Sequence, residues 1–460
     1  MKWNQADILA ATHGRLHGHD FVANDVAIHT DHVKKGGIYI ALKGEKSDGH
    51  LHVEKAFERG AVAVIVEELQ KSLSSTQTQI VVRDSMKALV DMAKWRRLEL
   101  KNTKFIALTG SVGKTTTRMM IAKALESYGS VFTSQQNYNT LIGVSVDMCR
   151  CPLGANFAVF EVGMNKPGEI DPITQLIKPD VALLTTIAEN HIEYFESIEG
   201  IAYEKSQIFN GLSSKGVAVF NLDMPCLNLV APLVQRLNNR ICFSRHNSRA
   251  DVFLEQTTDG KKYINTNEEE CEITLNEIGD HLYSNALAAI SVICALGLKI
   301  ETGVKSLRSF YLPKGRGEVK LAQSVLGKNG MTIDLIDDCY NASFTSTQAA
   351  LKRLKNMQSR GRKILVFGDM LELGKESQEW HLKLLPEIID AEVNKVFCCG
   401  AFSEKLFQAL PDNLKGSWCH KSIDLHPVLL ESLREGDMVL VKASNGTNMR
   451  ALIDLLIMEK

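Results

Sequence analysis

The stretch FIALTGSVGKTTT, residues 105 to 117, holds the residue types that fold a backbone around a phosphate. Gly110 and Gly113 let the chain turn tightly and present amide groups to an anion at a helix N-terminus. Lys114 is placed to reach the β- and γ-phosphates, and the Thr115 hydroxyl to bind magnesium. The strict phosphate-loop pattern has glycine five residues before Gly113, where this chain has Leu108. The context is intact, because KFIALT reads as a strand, GSVG as a turn and KTTTRMMIAKALESY as a helix. Thr109, Gly110, Ser111, Val112, Gly113, Lys114, Thr115 and Thr116 are the expected contacts of ATP or GTP.

A binding loop does not name a reaction. In an ATPase, magnesium needs further ligands from later strand ends. FAVFEVGMN puts Glu161 at the end of a buried strand, where a lone carboxylate is costly unless paired or metal-bound. VALLTTIAENH does the same for His191. Each has a plain alternative: Glu161 as a paired core acid, and His191 as a loop histidine with satisfied hydrogen bonds.

The elements that must position these groups are legible as apolar runs. KFIALT, NFAVFEVG, VALLTTI and GVAVFNL are apolar throughout, as strands buried on both faces of a parallel sheet are. Before them, GGIYIAL, AVAVIVEE and TQIVV surround one helical pattern, HVEKAFERGA, and SMKALVDMAKWRRLEL leads into the phosphate loop. After Pro313, MTIDLID, RKILVFG, NKVFCCG and DMVLVKAS alternate with the helical patterns STQAALKRLKNM, QEWHLKLLPEIID and NMRALIDLLI. The predicted fold class is α/β in three domains. These are a small mixed α/β N-terminal domain (1–83), a central P-loop ATPase-type domain with a mostly parallel sheet (84–311), and a C-terminal Rossmann-like α/β domain (312–460).

Bulk properties exclude several function classes. A chain of 460 residues is too long for one compact core. The net charge of −1 gives no basic field for nucleic acid or an anionic membrane. The ten cysteines show no CxxC and no paired zinc spacing, so they read as buried thiols of a reducing cytosol. MKWNQADILAATHG has no apolar segment of a secretory signal. The longest nearly apolar run, ALAAISVICALGL, falls well short of the roughly 20 residues that span a bilayer. A cytoplasmic protein, monomeric by default and without membrane insertion, is expected.

The ordered set TGSVGKTTT, NYNTLIG, FEVGMNKPGEI, IAENHIEYF and EKSQIF resembles the Mur ligases, cytoplasmic enzymes that add amino acids to the peptidoglycan precursor. HLYSNALAA, GRGEV, IDDCYNAS and GDMLELG are similar to the branch that joins D-alanyl-D-alanine to UDP-N-acetylmuramoyl-tripeptide. GGIYIALKGEKSDGH and AFERGAVAVIVEE look like that branch's nucleotide-sugar domain. The resemblance spans nearly the whole chain.

It implies an ATP-dependent amide ligase working through an acyl phosphate, with two magnesium ions. Lys114 and Thr115 then hold phosphates and magnesium, and Glu161 and His191 match metal-site residues. Lys205 alone reads as a solvated helix lysine. The resemblance makes it the lysine that is carbamylated to hold the second ion, so that Lys114, Lys205 and His191 form the implied catalytic set. Asn285, Arg316 and Asp338 match nucleotide contacts. Asn139, Thr140, Asp48, His50, Tyr340 and Asn341 match substrate positions.

Three stretches depart from the family pattern. His29, Thr30 and Asp31 stand where Asp-Ser-Arg is usual, which removes a cation from the diphosphate contact and leaves Lys34, Lys35 or Lys43 to replace it. Asn341-Ala342-Ser343-Phe344 replaces Asn-Ala-Asn-Pro, and Lys442-Ala443-Ser444-Asn445 replaces Lys-Gly-Ser-Arg. Two other readings compete: a sibling ligase adding a single amino acid to the same precursor or glutamate to folate, and a nucleotide-binding regulatory protein that no longer ligates.

Overall fold

The computed structural model describes residues 2–457 apart from 45, 46, 135, 136, 190, 191, 196, 277, 278 and 329. His191 therefore lies outside the described residues. Three principal sheets follow one another along the chain.

The first sheet has five strands: β1 (Arg15–His17), β2 (Val26–Ala27), β3 (Ile38–Ile40), β4 (Ala63–Val66) and β5 (Thr78–Val81). Their order is β1-β5-β4-β3-β2, parallel except for β1 against β5. A short ribbon, Trp3–Asn4 with Val22–Ala23, flanks it. Asp84 caps helix α1 (Ser85–Glu99) by accepting the Lys87 N–H at 2.8 Å, which satisfies one of the donors a helix start leaves open.

The second sheet has nine strands: β6 (Lys104–Thr109), β7 (Val131–Thr133), β8 (Phe157–Glu161), β9 (Val181–Leu184), β10 (Val217–Asn221), β11 (Arg240–Ser244), β12 (Val252–Gln256), β13 (Lys262–Thr266) and β14 (Glu270–Glu272). The order is β14-β13-β12-β11-β10-β9-β6-β8-β7. All neighbours are parallel except β12 with β13 and β13 with β14. Strands β6, β8 and β9 are buried almost throughout, as their apolar runs require. The helices that serve the site are α2 (Lys114–Leu125), α3 (Leu141–Arg150), α4 (Ile198–Ser206) and α5 (Asp280–Ala295). The apolar run 286–298 falls largely in α5, which packs against α2 in a core on one sheet face. Among the described residues, no helix is long and apolar enough to cross a membrane.

The third sheet has six strands: β15 (Glu318–Ser324), β16 (Thr332–Asp338), β17 (Lys363–Gly368), β18 (Lys395–Cys399), β19 (Lys415–Cys419) and β20 (Met438–Lys442). Their order is β15-β16-β20-β17-β18-β19, with only β15 antiparallel. Helix α6 (Phe344–Asn356) follows β16 and starts in a capping box between Ser343 and Ser346.

One core continues from the first sheet to the second, uniting Trp3, Ile8, Val26 and Ile40 with Phe105, Val146 and Phe160. The Trp3 indole N–H donates to the Cys149 carbonyl at 3.0 Å, and the Arg96 guanidinium lies 4.2 Å from the Trp3 ring centre.

Candidate active site

The central sheet changes strand order at β6, which lies between β8 and β9. A crevice at the carboxyl ends of strands at such a reversal is where open α/β sheets take ligands. The phosphate loop leaves β6 there. The Thr109 hydroxyl donates to the Val162 carbonyl at 2.7 Å, and the Thr109 carbonyl accepts the Thr185 N–H at 3.0 Å. The Ser111 hydroxyl donates to the Ala188 carbonyl at 2.9 Å and accepts the Ala188 N–H at 2.8 Å. The loop is thus clamped by the segment after β9.

Two glycines are dictated by space. A Cβ at Gly110 would overlap the Thr185 hydroxyl oxygen. Gly113 caps α2 at φ 81°, in the left-handed region, and a Cβ there would meet Asn285 Oδ1 at 2.8 Å. That second approach puts the Asn285 side chain directly on the loop. Lys114 folds back, donating from Nζ to the carbonyls of Gly110 at 2.7 Å and Ser111 at 3.3 Å. Burial pushes its pKa down, opposed by the charge of Glu161, helped by Arg316 and opposed again by Glu372.

Thr115 Oγ1 donates to Glu161 Oε2 at 2.8 Å. The other carboxylate oxygen accepts from Asn139 Nδ2 at 3.3 Å, and Arg118 Nε lies 3.6 Å from Oε2. Glu161 is 6% exposed, so it is a buried acid with partners and at the same time the neighbour of the loop threonine.

Lys205, in the last turn of α4, is 1% exposed, which overturns its reading as a solvated lysine. Burial drives its pKa well below the ordinary lysine value; the Lys114 charge adds to this, while Glu204 and Glu161 oppose it. The adjacent Glu204 carboxylate is engaged by the N–H groups of Gly168 and Ile170, each at 2.9 Å. Among the described residues, no group of three His, Cys, Asp or Glu side chains is arranged to hold a metal.

The facing wall comes from the third sheet. Asp338, at the end of β16, pairs with Lys442 at 3.0 Å, and Lys442 also donates to the Asn341 carbonyl at 2.5 Å. Burial raises the Asp338 pKa, opposed chiefly by Lys442. The Arg316 guanidinium stacks 4.1 Å from the Tyr340 ring centre. Together the walls enclose a cavity of about 720 Å³ that brings Lys114, Thr115, Glu161, Asn285, Arg316 and Asp338 to one space, with Asn139, Thr140, Tyr340 and Asn341.

Asp48 and His50 are not among its lining residues. His50 donates from Nδ1 to Asp48 at 2.6 Å and accepts the Glu67 N–H on Nε2 at 3.0 Å, so the pair closes a turn of the first sheet. Asp31 pairs with Arg59 at 2.8 Å and Lys55 at 3.4 Å. Lys34 pairs with Asp25 at 3.3 Å and Lys43 with Glu67 at 2.6 Å.

The cavity also holds residues that sequence reading passed over as site groups: His281, Arg245, Glu372 and Lys442. His281, whose pKa is pushed down to about 4 by burial and then by Arg353, is effectively neutral. The late Lys442-Ala443-Ser444-Asn445 motif was a usable signal for Lys442. Nothing local marks Arg245, which follows a half-buried strand.

Residues 108–293 match the Mur ligase middle domain, and residues 322–445 match the Mur ligase, glutamate ligase domain. A UDP-N-acetylmuramoyl-tripeptide–D-alanyl-D-alanine ligase of Rickettsia prowazekii is 33% identical over 436 residues, covering 94% of each chain. The Bacillus subtilis ligase of the same name is 32% identical, covering 99% of this chain and 97% of its own. A crystal structure of MurF from Acinetobacter baumannii superposes with a TM-score of 0.85 at 26% identity, covering 99% of both chains. MurF from Thermotoga maritima in complex with ADP gives 0.75 at 25% identity, covering 94% of this chain and 97% of that one. With the phosphate loop, the cavity beneath it and these relatives in agreement, the chain belongs to the Mur ligase family, in its MurF branch.

Proposed function

We propose that this chain joins D-alanyl-D-alanine to UDP-N-acetylmuramoyl-tripeptide in the cytoplasm, consuming ATP and releasing ADP and phosphate. Residues 1–83 then serve as the nucleotide-sugar unit, 84–311 as the ATP unit and 312–460 as the unit that receives the dipeptide. The observation that carries the reading is the cavity in which the phosphate loop faces Arg316, Asp338 and Tyr340 across a domain boundary.

The reaction makes an amide from a carboxylate, which is a poor electrophile. A carboxylate oxygen first attacks the γ-phosphorus and ADP leaves, giving an acyl phosphate. The dipeptide amine then forms the C–N bond, the C–O bond to phosphate breaks, and the nitrogen gives up a proton. Bringing a carboxylate to about 4 Å from a phosphate oxygen opposes the first step by about 4 kcal/mol at an effective dielectric near 20. Left unscreened, that is roughly a thousandfold in rate.

This chain meets the repulsion with the amides at the start of α2 and with Lys114, released from the Gly110 and Ser111 carbonyls onto the phosphates. Asn285 and Arg316 orient the nucleotide, and Asp338, held by Lys442, completes its pocket. Asn139 and Thr140 stand beside Glu161 where the muramoyl peptide meets the loop. Tyr340 and Asn341 face that meeting point from the third sheet.

The adjacent Thr115 hydroxyl and Glu161 carboxylate supply hard oxygen donors of the kind magnesium takes. His191 joins them as a further ligand on the resemblance. When bound, magnesium neutralises phosphate oxygens and fixes their orientation. Lys205 fits the carbamate role because burial drives its pKa well below the ordinary lysine value, which favours the uncharged amine that adds carbon dioxide. As a carbamate it would offer anionic oxygen to a second ion.

The test is phosphate release with the muramoyl tripeptide and D-alanyl-D-alanine each omitted in turn. Release that needs both is expected. Release indifferent to both ends the ligase reading, and equal use of a single amino acid in place of the dipeptide moves the chain to a sibling reaction.

A further inference from the structure

Tyr138 packs against the core shared by the first and second units, one residue before Asn139 of the phosphate site. Its hydroxyl lies 3.2 Å from Nδ1 of His32, the last residue of the 3-10 turn Thr30–His32 in the first unit. The Arg150 guanidinium lies 5.8 Å from the Tyr138 ring centre, and Arg150 Nε donates to Asp25 Oδ1 at 3.0 Å and to the Val26 carbonyl at 2.9 Å. The ring is thus gripped from both units. Helix α3 closes over its backbone, for a Cβ at Gly143 would come 2.6 Å from Tyr138 Cα.

The next residue carries that grip to the site. The Asn139 carbonyl accepts the Gly163 N–H at 2.8 Å, and its side chain lies so close to Gly163 that a Cβ there would meet Asn139 Cγ at 2.8 Å. From this position Asn139 Nδ2 donates to Glu161 Oε1 at 3.3 Å, while Thr115 holds Oε2. Both carboxylate oxygens are therefore aimed, one by the phosphate-loop helix and the other by a segment tied to the first unit. A donation of 3.3 Å is long for an N–H···O bond, so small movements of residues 137–139 decide whether it is made. Cohesion of the units does not need the tyrosine hydroxyl, because the continuous apolar core and Arg150 supply it. We propose that Tyr138 is a positioning residue: held by His32, it sets Asn139 on Glu161 and so fixes the carboxylate that takes magnesium. The inference rests on the metal reading given above and adds to it a group from the first unit.

The experiment measures the affinity of the non-hydrolysable ATP analogue AMP-PNP with and without magnesium, in the full chain and in Y138F, H32L, H32N and the double variant Y138F with H32L. Y138F keeps the ring and loses only the hydroxyl, so the junction stays packed. Y138F and H32L are each expected to weaken binding in magnesium by about three- to tenfold, the scale of one neutral hydrogen bond, and to leave metal-free binding within about twofold. The double variant should lose no more than the more impaired single variant, because both changes remove the same contact. H32N, whose amide can take the place of Nδ1, should recover part of the loss. Binding of Y138F in magnesium within about twofold of the unaltered chain overturns the proposal. So does an equal loss with and without the metal, which would mean a general loosening of the loop. Additive losses in the double variant also overturn it, because the two residues would then act apart. If magnesium does not strengthen analogue binding in the unaltered chain, the metal reading fails before any variant is made, and the proposal falls with it.

Discussion

Thr115 and Glu161 stand 46 residues apart in the chain and 2.8 Å apart in the fold, joined by a hydrogen bond at the carboxyl ends of two adjacent parallel strands. The register of β6 with β8, which pairs Leu108 with Glu161, sets that distance. The two groups proposed to share a metal hold each other instead, so the donor set is organised before any ion arrives.

Replacing Thr115 by alanine removes one oxygen donor while keeping the helix start. Turnover should fall by about two orders of magnitude, the cost of losing one contact to developing charge. The magnesium concentration for half-maximal rate should rise. An unchanged magnesium dependence would separate Thr115 from the metal.

Lys205→Ala should slow ligation severely while ATP still binds, measured as nucleotide affinity beside phosphate release. Excess bicarbonate should not restore the variant, because no amine remains to form a carbamate. Turnover close to that of the unaltered chain would remove Lys205 from the mechanism.

Gly110→Ala sets a methyl group on the Thr185 hydroxyl within a clamped loop. Overpacking of this kind costs about 1–3 kcal/mol. Lower thermal stability and weaker nucleotide binding are both expected, and a second change, Thr185→Ala, should recover part of each.

Asp147 on α3 is buried, and among the described residues its Oδ2 has no hydrogen-bond partner. Burial raises its pKa to about 6, opposed by Ser134, Arg150 and Arg118. The folded chain therefore binds a proton on Asp147 that the unfolded chain, with a pKa near 3.8, releases. Its contribution is full below pH 3.8 and is lost as pH rises through about 6. Asp147→Asn should stabilise the protein at pH 7 and above by about 3 kcal/mol and change little near pH 4, read as Tm against pH. A stability difference that does not vary with pH would contradict this.

The phosphate loop was legible because its chemistry is local: two glycines, a lysine and a threonine lie within six residues. The strands β6, β8, β9 and β10 were legible because burial on both faces leaves their middles apolar, with polar residues only at the ends. The hairpin strands β13 and β14 were not, since KYINT and ECE are short and largely polar at a partly exposed edge. The helical run around 377–390 is two short helices divided near Lys383, which periodicity alone did not separate. Lys205 shows the limit most clearly. Its neighbours in sequence are Glu204 and Ser206, yet its burial comes from packing between elements, which no window of sequence displays. Asp48 and His50 lie outside the cavity lining and hydrogen-bond to each other, an arrangement that their spacing in the sequence does not display.

The continuous apolar interior beneath Trp3 and Phe105 has a mechanical consequence. Prying the first two sheets apart would expose that interior to water, whereas the junction around residues 311–317 contains two left-handed glycines, Gly315 and Gly317. Among the described residues no buried apolar cluster joins the third sheet to the other two, so separating that sheet would expose far less apolar interior. Arg316, seated between the two glycines, stacks on Tyr340, so any displacement of that unit would shift a cation that lines the same cavity as Lys114.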